Sequence, residues 1–123
     1  MALAFDLDAG VTTRVAAAAA QAWARAGVTA VQTPLAAISG TATTAPAVLS
    51  AEHGVVECVA DGDYDAIAVA VRALAADGWR VAVLAPTGQM GSAHRVLRGL
   101  PVRVQPWWTG ADDSVMFGVP EVP

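Results

Sequence analysis

The turn Thr87-Gly88-Gln89-Met90-Gly91-Ser92 contains the residues whose types and spacing best suit ligand chemistry. It follows an apolar run and precedes a predicted helix, so backbone amides at the start of that helix would point towards an anion such as phosphate. Its glycines follow neither the G-x-G-x-x-G spacing of dinucleotide sites nor a Walker A loop. The alternative is structural: the glycines form the turn and let the helix pack on the strand. The candidate ligand-binding residues here are Thr87, Gly88, Gln89, Gly91 and Ser92.

Asp61, Asp63 and Asp65 form a D-x-D-x-D pattern that resembles the beginning of a calcium loop. Such a loop ends on a glutamate at its twelfth position, and here that position is Arg72. The pattern therefore indicates capping of a helix N-terminus, and no metal site is predicted. Asp61 directly follows a predicted strand and joins the candidate ligand-binding residues.

No catalytic constellation is visible in the sequence. His94 could act as a base for Ser92 or Cys58, but no motif places a nucleophile beside it or a group to orient it. Cys58 is the single cysteine, which excludes an intrachain disulfide, and its apolar neighbours predict a buried thiol. No catalytic residue is assigned, and a non-enzymatic role is favoured.

The composition narrows the range of partners. The chain has 123 residues, 55% of them hydrophobic and 15% charged, as expected of a globular domain. Its net charge is −4 and it has no basic stripe, which argues against a nucleic-acid partner. All seven cationic side chains are arginine, and without lysine neither Schiff-base chemistry nor a Walker A loop is available. No cofactor is predicted.

The sequence also lacks membrane and secretion signals. The first residues, MALAFDLD, do not have the positive charge of a secretory signal. An alanine run at 16–20 lies between Arg14 and Arg25, which are too close together for a membrane span. We therefore expect no membrane partner, and a location in the cytoplasm or within an assembled particle.

Apolar runs and helical patterns alternate from Val55 to Trp108. Strands are predicted at 55–60, 79–86 and 100–108, and between the first two a helix whose buried stripe is Ile67, Val71 and Leu74. A last short strand at 114–119 is expected to run antiparallel to the preceding one. The pattern predicts an α/β fold: a small three-layer domain with a mostly parallel sheet and an antiparallel edge strand.

The first half of the chain gives weaker signals. A helix is predicted to begin near Asp8 or Thr12 and to end at Gly27, followed by a strand at 28–33 that Pro34 terminates.

Residues 34–52 show no periodicity and are rich in Ala, Thr, Ser and Pro. They are predicted to form a long connection or arm, with a short strand or helical turn near Ala47–Ser50. Together with this arm, residues 1–123 are interpreted as one α/β domain.

Two adjacent tryptophans, Trp107 and Trp108, indicate an interaction surface. Adjacent residues of a strand face opposite ways, so one can fill the core while the other covers an edge or meets a partner. The alternative is that the second tryptophan covers the core beneath the 34–52 arm. With Phe117 they are the candidate interface residues.

If the central strands are parallel, their carboxyl ends lie at one rim of the sheet, where ligands of open α/β sheets bind. The residues expected at this rim are Asp61, Thr87, Gly88, Gln89 and Trp107.

Two segments resemble part of the C-terminal RecA-like domain of UvrD-like superfamily 1 helicases, over about residues 55–119. These segments are VVECVADGDYDAIAVAVRALAADGWRVAVLAPT and WWTGADDSVMFGVPEV. The resemblance implies an α/β fold of RecA-like type. The chain lacks the Walker A lysine, the acidic Walker B pair and the Lys-Gly-Leu-Glu motif of those helicases, so neither a functional residue nor helicase activity carries over.

These observations favour a non-catalytic interaction or assembly module with a protein partner or self-association. A small subunit of a larger complex, such as a phage or another multi-protein particle, would fit the apolar chain ends, MALAF and FGVPEVP. The alternative is a small-ligand or nucleotide-binding α/β domain that uses the 87–92 turn. A third hypothesis is a regulator that docks on a helicase.

Overall fold

The computed structural model describes the backbone of residues 3–123 and the side chains from Gly10 onwards. The elements are α1 (Leu3–Arg25), β1 (Val31–Pro34), α2 (Leu35–Ser39), β2 (Pro46–Ser50), β3 (Val55–Val59), α3 (Tyr64–Ala76), β4 (Arg80–Pro86), a 3-10 turn (Thr87–Gln89), α4 (Met90–Leu97), β5 (Val102–Thr109) and β6 (Val115–Phe117).

The strands of the described chain form one six-stranded sheet in the order β1-β2-β3-β4-β5-β6. Strands β3, β4 and β5 are parallel, whereas the β1–β2, β2–β3 and β5–β6 pairs are antiparallel. The α/β class is confirmed, and so is the antiparallel edge strand, β6. The prediction of a mostly parallel sheet is wrong. Only four residues, 51–54, connect β2 to β3, too few for a crossover, so these strands must pair antiparallel.

The segment 34–52 differs from the predicted long connection. It contains α2 and β2, and β2 pairs with both β1 and β3 inside the sheet. Ala47 and Val48 of β2 are fully buried on opposite faces of the sheet, and Leu35 of α2 is fully buried as well. The short strand or helical turn allowed near Ala47–Ser50 is therefore a buried strand, hidden in the sequence by its small residues and prolines.

Helices cover the two faces of the sheet unequally. On one face, α2, α3 and α4 contribute to a large core with the inward-facing residues of β2 to β5. The predicted stripe of α3 (Ile67, Val71 and Leu74) is confirmed, since each of these side chains is at most 2% exposed. Helix α1 packs on the opposite face through Val15, Ala16 and Ala19, against a smaller cluster that includes Trp107.

Helix α1 begins at Leu3, earlier than the predicted start near Asp8 or Thr12. The side chains of Asp8 and of the apolar segment MALAF lie outside the described part of the chain. Within the described chain, no helix has both the length and the apolar character that crossing a membrane requires.

Candidate functional site

The side chain of Gln89 connects the ends of β3 and β4. Its Oε1 accepts hydrogen bonds from the Gly62 backbone N–H at 2.9 Å and from the Tyr64 hydroxyl at 2.5 Å. Its Nε2 donates to Asp61 Oδ1 at 2.7 Å. Because β3 and β4 are parallel, both loops leave the sheet at the same edge. The predicted proximity of Asp61 and Gln89 is thus observed, and the Gln89 amide already has protein partners on both its oxygen and its nitrogen.

Tyr64 remains a hydrogen-bond donor in this arrangement. Burial, reinforced by the Asp61 carboxylate, raises the pKa of Tyr64 to about 12. The phenol is therefore protonated at neutral pH and donates to Gln89, which fixes the loop that begins α3 against the turn that begins α4.

The other candidate ligand-binding residues lie around the same rim. Thr87 and Gly88 are exposed, and the Thr87 hydroxyl donates to the Trp107 carbonyl at 3.1 Å, which connects the turn to β5. Gly91 and Ser92 lie in the first turn of α4. The residues predicted to share one edge do so, although the Asp61 carboxylate beside them opposes an anion electrostatically.

A polar pocket of about 280 Å³ adjoins this rim on the side of β3. Its polar lining consists of Thr12, Thr43, Thr44, Asp61 and Asp63. In the described part of the chain, no three His, Cys, Asp or Glu side chains are grouped to hold a metal ion. Hydroxyls and carboxylates of this kind suit hydrogen bonds to a neutral, hydroxyl-bearing ligand.

The two tryptophans separate as strand alternation requires. Trp107 is 6% exposed and packs with α1, whereas Trp108 is 42% exposed on the other face of β5. Phe117 is half-buried beside Trp107, so of the three candidate interface residues only Trp108 is on the surface. Directly opposite Trp108 on β6 lies Met116, which is 45% exposed. We call these two side chains the Trp108–Met116 pair.

Neither Ser92 nor Cys58, the two nucleophiles considered for His94, forms a hydrogen bond with it in the described part of the chain. Cys58 is fully buried, and burial, with a smaller contribution from the Glu57 charge, raises its pKa to about 12. His94 Nε2 instead lies 3.0 Å from Glu121 Oε1, at ion-pair distance but without hydrogen-bond geometry. This contact joins α4 to the segment after β6.

Glu57, a carboxylate in the middle of β3, was not among the residues predicted from the sequence. Its side chain faces α1, and its Oε1 accepts a hydrogen bond from Trp23 Nε1 at 2.7 Å. Burial raises the pKa of Glu57, and the Trp23 hydrogen bond only partly offsets this effect. The signal in the sequence was the single charge inside the apolar run VVECV, because a buried strand seldom carries an unpaired carboxylate.

Glu57 lies in a pocket of about 180 Å³ between α1 and the sheet. We call this cavity the Glu57 pocket. Its lining consists of Ala19, Ala22, Trp23, Glu57, Leu84, Gln105 and Phe117. The small side chains of α1 leave the space open, and the strands supply one carboxylate and one amide. A partly buried carboxylate in a cleft is a recurrent feature of functional sites.

Comparison with known proteins found no match among protein-family models, curated proteins or solved structures. The resemblance to helicase RecA-like domains therefore stays a prediction from the sequence.

Proposed function

We propose that the chain is a protein-interaction module that docks through the Trp108–Met116 pair. The observation behind the proposal is that two large apolar side chains, 42% and 45% exposed, lie opposite each other on neighbouring strands. Exposed tryptophan is the residue most enriched at the energetic centres of protein interfaces, and methionine adapts to irregular partner surfaces.

The backbone beneath the pair supports a rigid docking surface. Gly118 N–H donates to the Pro106 carbonyl at 2.9 Å, so the chain stays close to β5 after β6 ends. A Cβ at Gly118 would lie 2.6 Å from Pro106 Cγ and 3.4 Å from Trp108 Cζ3, so only glycine allows this approach. Fixing an aromatic side chain before binding reduces the entropy lost when a partner docks.

Further exposed apolar residues follow along the same edge of the sheet. Val119 is 77% exposed and Val122 71% exposed. The segment that carries them is held by two backbone hydrogen bonds between Val104 and Glu121, at 2.8 and 2.7 Å. An ordered C-terminal segment with exposed apolar side chains therefore follows the pair along β5. Membership of a larger particle, such as a phage, remains a prediction.

Single substitutions test the proposal. Trp108→Ser and Met116→Ser remove the apolar side chains, and Val69→Ser is the matched control, because Val69 is 51% exposed on α3. Sedimentation velocity measures self-association, and co-purification from the native host measures the recovery of partners. We expect Trp108→Ser and Met116→Ser to abolish the complex, and Val69→Ser to retain it. Equal association of all three variants and the parent would contradict the proposal.

A second candidate function is the binding of a small ligand at the rim formed by Asp61 and the Thr87–Gln89 turn. The adjoining polar pocket of about 280 Å³ favours it. The test is a titration with inorganic phosphate and, separately, with ribose, followed through the backbone amide signals of Gly62 and Gly88. If neither compound shifts these signals at millimolar concentration, the ligand-binding function is contradicted and protein interaction is the one candidate function left.

A further inference from the structure

We propose that the Glu57 pocket binds a guanidinium group, either of a free alkylguanidinium or of an arginine side chain. The site is separate from the Trp108–Met116 pair: Gln105 and Phe117 face α1, and Trp108 and Met116 face the opposite side of the sheet. The proposal is therefore independent of the proposed function.

The pocket presents hydrogen-bond acceptors that lack protein partners. Within residues 10–123, Glu57 accepts one hydrogen bond, from Trp23 Nε1 to Oε1, so its Oε2 is available. Gln105 donates through Nε2 to the Gly118 carbonyl at 2.8 Å, which leaves its Oε1 as a second acceptor. A guanidinium group carries five N–H donors and no acceptor, and it matches a carboxylate more closely than any other cation of proteins.

The walls of the pocket suit a flat cation. Trp23 and Phe117 contribute aromatic side chains, and aromatic rings attract guanidinium groups both electrostatically and by stacking. The remaining lining comes from two alanines of α1 and from Leu84, which do not compete for hydrogen bonds. This combination favours guanidinium over the strongly hydrated ammonium group.

The size of the pocket limits the ligand. Its volume is about 180 Å³. Sites for whole drug-sized molecules occupy about 300–1,000 Å³. The pocket is therefore of a size for one small functional group.

The charges around Glu57 leave it without an ionic partner inside the described chain. Glu57 of β3 pairs with Ala82 of β4, which pairs with Arg103 of β5, so Arg103 lies on the same face of the sheet as Glu57 but two strands away. Arg80, two residues before Ala82 on β4, lies on that face as well. The His53 ring lies near that of Trp23, with ring centroids 6.0 Å apart. Burial already raises the pKa of Glu57, so a bound cation should lower it again by favouring the ionised form.

The test uses the full chain with methylguanidinium at pH 8, because a high pH favours the ionised form of Glu57. The Trp23 indole N–H signal is the reporter, assigned through Trp23→Phe, because this N–H contacts the carboxylate directly. Methylurea is the neutral analogue and methylammonium the point-charge analogue. We expect saturable shifts with methylguanidinium, binding at least about tenfold weaker for the other two, and a lower pKa of Glu57 in the complex.

Glu57→Gln keeps the shape and the acceptor of the side chain and removes its charge, and exposed Glu52→Gln is the control. We expect Glu57→Gln to weaken methylguanidinium binding at least about tenfold, and Glu52→Gln to leave it unchanged. Equal binding of methylurea to the parent chain, tighter binding of methylammonium, or full binding by Glu57→Gln would each overturn the assignment. The methylurea comparison needs no variant, so it decides even if Glu57→Gln does not fold.

Comparison of one further ligand with methylguanidinium distinguishes the sources of the guanidinium group. N-acetyl-arginine methylamide represents a protein side chain, and methylguanidinium represents a free small molecule. Tighter binding of the arginine derivative assigns the pocket to a peptide segment of a partner. Tighter binding of methylguanidinium assigns it to a free metabolite. Both results support a guanidinium site.

Discussion

Substituting Gln89 tests how the rim of the sheet is held together. Gln89→Ala removes three hydrogen bonds, to Gly62, Tyr64 and Asp61. The two neutral bonds contribute about 1 kcal/mol each, and the bond to the exposed Asp61 carboxylate about 1.5 kcal/mol. The free energy of unfolding should therefore fall by about 3.5 kcal/mol. Tyr64→Phe, which removes only one of these bonds, should cost about 1 kcal/mol.

Gln89→Glu separates hydrogen bonding from charge. The new carboxylate still accepts from Gly62 and Tyr64, but it replaces the N–H that lies 2.7 Å from Asp61 Oδ1. Two carboxylates about 4 Å apart repel by about 1 kcal/mol in water-like surroundings. With the lost donor, the variant should be about 2–3 kcal/mol less stable than the parent at neutral pH. Protonation of either carboxylate relieves the repulsion, so this deficit should shrink at acidic pH, near about 4.

Urea denaturation of the parent and the three variants, at neutral pH and at pH 4, measures these differences. Gln21→Glu on the exposed part of α1 is the control for adding a negative charge. The interpretation of the rim is wrong if Gln89→Ala costs less than about 1 kcal/mol. It is also wrong if the deficit of Gln89→Glu is the same at both pH values.

Three further predictions concern single residues. Trp79→Ala should lower the free energy of unfolding by about 1–3 kcal/mol, because Trp79 is only partly buried against the core. Loss of a fully buried tryptophan costs about 3–5 kcal/mol. Urea denaturation measures the difference, and a loss above about 3 kcal/mol would show that Trp79 is fully enclosed. Cys58 should react with a thiol reagent only in denaturant, because its burial raises its pKa to about 12. Rapid reaction in the folded protein would show that Cys58 is not enclosed in the core. Glu57→Gln should be more stable than the parent at neutral pH. The pKa of Glu57 in the folded chain lies above its value of about 4.3 in the unfolded chain. The free energy of unfolding of the parent therefore falls as the pH rises from the unfolded-state pKa to the folded-state pKa. That gain should vanish below about pH 4, and a Glu57→Gln chain that is less stable at pH 7 would show that the carboxylate stabilises the fold.

The strand–helix–strand pattern from Val55 to Trp108 was sufficient to predict the parallel centre of the sheet. Its strands are long and apolar, and the stripe of α3 follows helical spacing, so local sequence and tertiary structure agree. The antiparallel half was missed because β2 consists of five residues that begin with proline. Its strand character depends on burial between β1 and β3, which local propensity does not reveal.

The candidate sites were predicted unevenly for a similar reason. The contact between Asp61 and Gln89 followed from parallel strands that end at one edge, so it could be anticipated. The ion-pair contact of His94 with Glu121 joins residues far apart in the chain, and no pattern indicates it. Glu57 was visible as a charge in an apolar strand, but its pocket exists only because α1 places alanines above it.

The unequal cover of the two faces has a consequence for how the molecule opens. Of the described helices, only α1 covers its face, and two of the three buried side chains within its residues 10–25 are alanines, each removing little apolar area from water. The opposite face is held by leucine, isoleucine and valine side chains from three helices. Partial opening should therefore release α1 first and leave the β3–α3–β4 unit intact. The Glu57 pocket would lose its roof in that partly open state, so occupancy of the cavity and docking of the N-terminal helix are thermodynamically linked.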